Sequence, residues 1–253
     1  MRKIAIFVEG QTELIFTREL LLKCYEWQDI WIECYSLFND RDLNPTDYSY
    51  KDPSAKFYYQ ILNIGNDVKV LPSILKREKY LFSANQSFDK IVGLRDMYSK
   101  DYREANKANT IAEEINQKFI DMHLDTIKNR ANSPKNIEFH FAIMELETWV
   151  LAIENVFLKI SDTLTNEMIE TKLNINLQNI DPEKQVFHPA SLLDEIMKLI
   201  GNSYDKKKGE VNKFMGIISK ENFNILYESD KCEHFNHFCD SIEVNTAPIS
   251  QTE

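Results

Sequence analysis

The sequence feature that most constrains the fold is an unbroken apolar run near the start of the chain. Residues Ile4 to Val8 are all apolar, and Glu9 and Gly10 follow at once. Such a run is typical of a strand buried on both faces of a parallel sheet, because a half-exposed strand would alternate apolar and polar residues. Apolar residues at helical spacing come next. We therefore expect a central strand, a glycine turn, and a helix that Thr12 caps and that ends near Tyr25.

Other strands are predicted where β-branched and aromatic residues concentrate, over residues 30–38, 56–62, 88–94 and 137–143. The spacing predicts helices over 68–82 and 105–127, and the segment 39–53 is typical of a surface loop. From Thr148 onward the pattern is helical, with interruptions at Pro182, at Pro189 and from Gly201 to Gly209. This order predicts an α/β fold with a mostly parallel sheet flanked by helices. Residues 1–151 would form the α/β core, and 152–253 a helical C-terminal region packed on it.

Charge and hydropathy exclude several classes of protein. The chain has 30 basic and 40 acidic residues, and its net charge of −10 opposes indiscriminate binding to nucleic acid. A local basic patch remains available around Lys76, Arg77, Lys79 and Lys90. No apolar run approaches the ~18 residues of a membrane-spanning helix, and the first residues lack a signal-peptide pattern. We therefore expect a cytoplasmic protein with no membrane partner.

Carboxylates follow three of the predicted strands. Glu9 ends the first, Asp96 comes after the strand at 88–94, and Glu145 and Glu147 come after the strand at 137–143. The carboxyl ends of parallel strands meet at one edge of an α/β sheet, where ligands bind. Clustered carboxylates repel one another unless a cation lies between them, and oxygen ligands suit Mg²⁺ or Mn²⁺. Such a site can generate a nucleophile from water and neutralise a phosphodiester transition state.

A structural alternative exists for each of these acids. Carboxylates in the first turn of a helix are stabilised by the helix dipole, whatever the protein does. For Glu13, one residue after the predicted cap, this alternative is favoured. For Glu9 and Asp96 a functional role is favoured, because each stands directly at the end of a buried strand.

Three motifs, in order, resemble those of toprim-like domains, the metal-dependent fold shared by topoisomerases, primases and overcoming-lysogenization-defect nucleases. More narrowly, they resemble a bacterial toprim-like family long labelled as a domain of unknown function. The first motif is an EGxTE signature. The second is a strand that ends in an aspartate, with a tyrosine two residues later. The third is a pair of glutamates just before an apolar segment. In this chain they are Glu9 to Glu13, Ile91 to Tyr98 and Glu145 to Leu151.

The resemblance implies a divalent-metal-dependent nuclease acting on DNA or RNA. Some members of the family are toxic effectors in PARIS-type bacterial anti-phage defence, where a partner ATPase controls them. On this resemblance Glu9 and Asp96 match metal-ligand positions, and Glu145 with Glu147 match a further acidic pair. One departure is that ordinary toprim domains carry Asp-x-Asp, whereas this chain has Asp96-Met97-Tyr98. Either Glu145 or Glu147 completes the site, or the activity is weakened.

Lys206, Lys207 and Lys208 lie in a segment flanked by glycines and could neutralise a phosphate or a leaving oxygen. We assign Lys207 and Lys208 as catalytic candidates; the alternative is a solvated basic loop. The chain has no glycine-rich phosphate loop, so any ATPase would be a partner rather than this protein. A homodimer would suit cleavage of both strands of a duplex.

Two cysteines and two histidines lie close together near the end of the sequence, at Cys232, His234, His237 and Cys239. On one helix these four side chains could not all converge on a zinc ion. A buried stripe of cysteine and phenylalanine is therefore favoured over zinc. We expect all four cysteines of the chain to be free thiols.

Two hypotheses remain open on the sequence. The first is an enzyme that hydrolyses phosphodiester bonds with Mg²⁺ or Mn²⁺ held by Glu9, Asp96, Glu145 and Glu147. The second is a non-catalytic toprim-like subunit that serves as a scaffold or docking module for an ATPase. The missing second aspartate after Asp96 is the main support for the second hypothesis.

Overall fold

A computed structural model describes residues 1–38, 42–206 and 208–244, and it has an α/β fold. Seven strands form one sheet: β1 (Arg2–Val8), β2 (Ile30–Phe38), β3 (Asp42–Pro45), β4 (Tyr50–Lys51), β5 (Phe57–Asn63), β6 (Lys90–Asp96) and β7 (Ile137–Ala142). The strand order is β3-β2-β5-β1-β6-β7, with β4 also paired to β2. The predicted fold class is confirmed.

The first strand is central, as its apolar run predicts. β1 pairs in parallel with β5 on one side and β6 on the other, with Val8 opposite Asn63 and Leu94. β5 also pairs in parallel with β2. Residues Ile4 to Val8 are almost completely buried. Because successive side chains of a strand point to opposite faces, this burial means that both faces of the sheet are covered at β1, as is usual for parallel strands.

The segment predicted as a surface loop over 39–53 contains two short strands. β3 and β4 both pair antiparallel with β2, so the loop prediction is wrong for these residues. Residues 42–45 are mostly exposed and mostly polar, so the sequence there lacks the apolar pattern by which a strand is predicted. Pro45 is tolerated because proline can end a strand at a sheet edge.

The helices are α1 (Gln11–Cys24), α2 (Val70–Leu81), α3 (Lys100–Ala105), α4 (Glu113–Arg130), α5 (Glu147–Ala152), α6 (Asn166–Leu173), α7 (Pro182–Gln185), α8 (Pro189–Lys198), α9 (Lys208–Ile217), α10 (Lys220–Glu228) and α11 (Glu233–Ser241). α1 begins one residue before Thr12, with Gly10 as its N-cap, so Thr12 is not the cap. The helix predicted over 105–127 begins later, at Glu113, because α3 ends at Ala105 and the chain leaves the helical conformation at Asn106. Pro182 and Pro189 begin helices rather than interrupt them, since proline suits the first helical position.

The chain divides into two compact units. The first unit comprises Met1–Arg95, Met122–His140 and the described residues from His237 onward; the second comprises Asp96–Asp121 and Phe141–Asn236. The two units are interleaved in sequence, because the division falls within β6, α4, β7 and α11. The predicted division at residue 151 stays a prediction. No helix in the described part of the chain is long and apolar enough to cross a membrane.

Candidate functional site

The second unit contains a cluster of three carboxylates at the ends of two neighbouring strands. Asp96 is the last residue of β6 and is 8% exposed. Its Oδ1 accepts a 2.9 Å hydrogen bond from the backbone N–H of Leu146, which follows β7. The backbone N–H groups of Met97 and Tyr98 donate to the carbonyls of Ala142 and Met144, so the two segments run side by side. This pairing sets Asp96 close to the residues after β7.

A tight turn after β7 directs the two glutamates of the cluster. Met144 has a φ of +63°, a left-handed conformation that is uncommon for a side chain of this size. Such backbone strain persists where the surroundings hold it, and here Met144 is fully buried. Glu145 follows the turn, and Glu147 is the first residue of α5. The position of Glu147 at a helix start agrees with the structural alternative as well as with a functional role.

The cation at the centre of this cluster is the ammonium of Lys206. Its Nζ lies 2.9 Å from Glu145 Oε1, 3.0 Å from Glu147 Oε2 and 3.8 Å from Asp96 Oδ2. Burial opposes the charge on this amine, but the carboxylates of Glu147, Asp96 and Glu145 outweigh that effect and raise the pKa of Lys206 above its usual range. The ammonium is therefore charged at neutral pH and offsets the repulsion among the acids.

Glu147 is the most buried member of the cluster, with no exposed surface. Its Oε1 accepts a 2.7 Å hydrogen bond from the hydroxyl of Tyr204. Its Oε2 has the Lys206 ion pair but no hydrogen bond of good geometry. Glu145 Oε2 accepts a 3.0 Å hydrogen bond from the backbone N–H of Ala190, in the first turn of α8. Each glutamate is thus held on one oxygen by the protein and contacts Lys206 with the other.

The spacing of these oxygens is that of an ammonium site. Contacts of about 3 Å to a nitrogen spread the oxygens more widely than Mg–O bonds of about 2.1 Å would. Among the residues that the structure describes, one group of potential ligand atoms lies within 4.8 Å of one another, and it is a different one: Asp181, Glu183 and Cys232. A divalent ion at Asp96, Glu145 and Glu147 would require the ammonium to leave and the carboxylates to move closer together.

The group at Asp181, Glu183 and Cys232 is already hydrogen-bonded within the second unit. Asp181 Oδ1 accepts from the N–H groups of Glu183 and Cys232. Glu183 Oε1 accepts from Trp149 Nε1 at 2.8 Å, and its Oε2 accepts from the N–H of His234 at 3.1 Å. Burial raises the pKa of Glu183 to about 7 and the pKa of the Cys232 thiol well above its usual value. This arrangement explains the group as a connection among α5, α7 and the start of α11.

The structure brings three of the predicted site residues together: Asp96, Glu145 and Glu147. Glu9 belongs to the first unit, where it directly follows β1 and is half-buried. Lys207 and the side chain of Lys208 lie outside the described residues. The roles assigned to all six residues stay predictions.

Two residues of the cluster escaped the sequence-based assignment. Lys206 was part of the basic run, but only Lys207 and Lys208 were assigned from it. Tyr204 carried no expectation of a role in the site. Sequence spacing could not place Tyr204 or Lys206 beside the acids, because three helices separate Lys206 from Glu147.

Other expectations around the site are now resolved by contacts. Tyr98, two residues after Asp96, packs its ring 5.6 Å from Phe187 and 5.4 Å from His188. Arg95, the residue before Asp96, forms a 3.2 Å ion pair with Asp67. In the expected basic patch, Lys90 pairs with Glu138 at 2.9 Å, which removes its charge from that patch.

All four cysteines are buried, and none forms a disulfide bond in the part of the chain that the structure describes. Cys232, Phe235, Phe238 and Cys239 are all at most 1% exposed. This burial confirms the apolar interpretation of the last helix, which was favoured over a zinc site. Cys24 and Cys34 are also buried core residues.

Comparison of the chain with models of known protein families, with curated proteins and with solved structures finds no match.

Proposed function

We propose that this protein is a divalent-metal-dependent phosphodiesterase that hydrolyses DNA or RNA, with Asp96, Glu145 and Glu147 at its active centre. The observation that carries the proposal is the convergence of these three carboxylates on one cation at the ends of β6 and β7. Structural ion pairs usually join one acid to one base. Three partly or fully buried acids around a single charge are costly to fold and are a feature of sites that bind cations.

The residues of the cluster suit Mg²⁺ or Mn²⁺ chemically. All three side chains are carboxylates, the ligands that these ions prefer. Glu147 Oε2 is a buried acceptor without a hydrogen bond, so it has a lone pair available for a cation. A bound divalent ion would polarise a phosphoryl oxygen and lower the pKa of a bound water.

The chain itself would orient the site. The Tyr204 hydroxyl and the Ala190 N–H each fix one oxygen of a glutamate, which leaves the other oxygen directed at the centre. The Leu146 N–H does the same for Asp96. Lys206 holds the acids together before a divalent ion enters. If a divalent ion took the place of this ammonium, Lys206 would be available to contact a negatively charged phosphate.

The resemblance to toprim-like effectors extends the proposal to anti-phage defence under the control of a partner ATPase. Glu9, a predicted ligand, is part of the same proposal through its place directly after β1 and through the resemblance. The first experiment therefore addresses the residues that the geometry supports, and Glu9→Gln is included as a separate arm.

The experiment is calorimetric titration of the purified protein with Mn²⁺, followed by cleavage of labelled RNA and DNA. We expect wild type to bind, Asp96→Asn and Glu145→Gln to bind at least about tenfold more weakly, and both variants to lose cleavage. The matched control is Glu104→Gln, an exposed acid of the same unit that lies in α3. Equal binding by wild type and both variants would place any ion elsewhere and contradict the proposal.

A second candidate is the non-catalytic scaffold, and one observation favours it. The Lys206 ammonium already contacts all three acids and offsets part of their repulsion, so the cluster can serve as a structural ion-pair network. On this alternative wild type binds no Mn²⁺, the three acids matter only for stability, and an ATPase copurifies equally with wild type and Asp96→Asn. If Asp96→Asn folds normally but loses a cleavage activity that wild type has, the scaffold alternative is rejected.

A further inference from the structure

A cavity of about 650 Å³ lies in the second unit between α8, α9 and the 3₁₀ turn at Phe157–Lys159. Its volume falls in the range of about 300–1,000 Å³ that small-molecule sites occupy. Neither the proposed phosphodiester hydrolysis nor the acid cluster uses it. The loop from Gly201 to Ser203, which precedes Tyr204, forms part of its wall.

The wall of the cavity is basic in an acidic protein. Lys159, Lys198 and Lys213 line it, against one carboxylate from Glu210. Lys213 has no ion-pair partner among the described residues, and Lys159 bonds to neutral acceptors, the Ile217 carbonyl and the Asn222 side chain. Lys198 shares its charge with Asp194 at 2.6 Å. The ammonium groups of Lys159 and Lys213, which pair with no carboxylate among the described residues, favour an anion in the cavity despite the overall charge of −10.

The rest of the lining is apolar. Met197 and Phe214 are buried residues of the wall, and Ile160 and Ile217 are half-buried beside them. A simple inorganic anion would use only the lysines and leave this surface exposed to water. A ligand that combines a phosphate with a flat, weakly polar ring would use both parts.

We propose that this cavity binds a nucleoside phosphate, with its phosphate on Lys159, Lys198 and Lys213 and its base against the apolar wall. Recognition is by side chains, since the sequence has no glycine-rich phosphate loop. Two sources offer this chemistry: a free mononucleotide, and a nucleotide unit of a polynucleotide strand.

The cavity wall is connected to the acid cluster by three contacts. The Phe214 ring lies 5.5 Å from the Tyr204 ring. Glu210 accepts a 2.7 Å hydrogen bond from the N–H of Asp205, and Asp194, the partner of Lys198, accepts from the N–H of Tyr204 at 2.9 Å. The same segment carries Tyr204 and Lys206 to Glu147. A ligand that draws Lys198 away from Asp194 therefore changes the support of Lys206, a consequence that rests on the proposed function.

The binding itself is tested without divalent metal, so that its failure is distinct from failure of the proposed hydrolase. Fluorescence anisotropy of N-methylanthraniloyl-ADP is measured in EDTA for wild type, Lys213→Glu and the control Lys172→Glu, an exposed lysine of α6 in the same unit. We expect wild type and Lys172→Glu to bind equally. Lys213→Glu should bind at least about tenfold more weakly, because it replaces a positive charge near the phosphate with a negative one.

Competition identifies the source and the class of ligand. Displacement by AMP assigns a free mononucleotide, and displacement by a single-stranded oligonucleotide but not by AMP assigns a strand. If inorganic phosphate displaced the probe as effectively as AMP does, the nucleoside part of the proposal would be overturned. No binding by wild type, or equal binding by Lys213→Glu, would overturn it entirely.

Discussion

Tyr204 donates a 2.7 Å hydrogen bond from its hydroxyl to Oε1 of Glu147, a carboxylate with no exposed surface. The two residues are far apart in sequence, and the contact joins the start of α5 to the loop between α8 and α9. Two residues later Lys206 reaches the other oxygen of the same carboxylate. One short segment therefore contacts both oxygens of the most buried acid of the cluster, Oε1 by a hydrogen bond and Oε2 by an ion pair.

Removal of this hydroxyl is predicted to destabilise the protein. In Tyr204→Phe a buried carboxylate oxygen loses its donor, which costs about 1.5–3 kcal/mol in the free energy of unfolding. Urea denaturation measures the loss, with Tyr80→Phe, at an exposed tyrosine, as a control expected to change little. In a Glu147→Gln background the cost of Tyr204→Phe should be smaller, because the acceptor is no longer charged. Equal costs in both backgrounds would show that the hydroxyl acts elsewhere.

Replacement of the central ammonium is predicted to make stability depend on divalent metal. In Lys206→Met three carboxylates face one another without a cation, and we expect a loss of about 2 kcal/mol, below that of a fully buried pair because Lys206 is one-third exposed. Added Mn²⁺ should restore the Tm of this variant by binding in place of the ammonium, and should raise it more than it raises the wild-type Tm. Lys172→Met is the control. If Mn²⁺ does not change the Tm of Lys206→Met, this result would argue against a metal site at the three carboxylates.

Strand order in the sequence predicts only part of this cluster. Glu9, Asp96 and Glu145 or Glu147 were predicted to meet because each follows a strand; Asp96, Glu145 and Glu147 contact Lys206, whereas Glu9 belongs to the first unit. Lys206 and Tyr204 could not be found in this way, since a loop between two helices reaches the cluster only through tertiary packing. The same limit explains β3 and β4. These exposed edge strands owe their conformation to pairing with β2 rather than to their own residues.

Gly93, in the middle of β6, is predicted to be intolerant of even a methyl group. A Cβ at this position would lie 2.5 and 2.7 Å from two ring carbons of Phe139 and 2.9 Å from Ile74 Cδ1. Gly93→Ala should therefore cost about 1–3 kcal/mol in the free energy of unfolding through overpacking.

The matched control is Gly216→Ala in α9, where a Cβ meets no atom within 4 Å. Alanine has the higher helix propensity, so this change should be neutral or stabilise by up to about 1 kcal/mol. Chemical denaturation of both variants measures the contrast. If Gly93→Ala were as stable as wild type, the ring of Phe139 would not be held as closely against β6 as the structure has it.

Glu183 is predicted to make the protein less stable as the pH rises from acid to neutral. Burial raises the pKa of this carboxyl to about 7, against an ordinary value of 4.5. Below pH 4.5 the group is protonated in both the folded and the unfolded states. Between 4.5 and 7 the unfolded state releases the proton while the folded state keeps it, so unfolding becomes more favourable. The loss is complete above pH 7 and amounts to about 3 kcal/mol.

The measurement is the free energy of unfolding at pH 5 and at pH 8 for wild type and Glu183→Gln. Tryptophan fluorescence monitors the unfolding, and Trp149 reports on the site because its Nε1 donates to this carboxylate. Other groups titrate over the same range, so the informative quantity is the difference between the two proteins. Wild type should lose about 2–3 kcal/mol more than Glu183→Gln between the two pH values. The exposed Glu221→Gln should follow wild type. Parallel losses in wild type and Glu183→Gln would mean that Glu183 is ionised in the folded protein at pH 5, with Trp149 and the His234 N–H stabilising its charge.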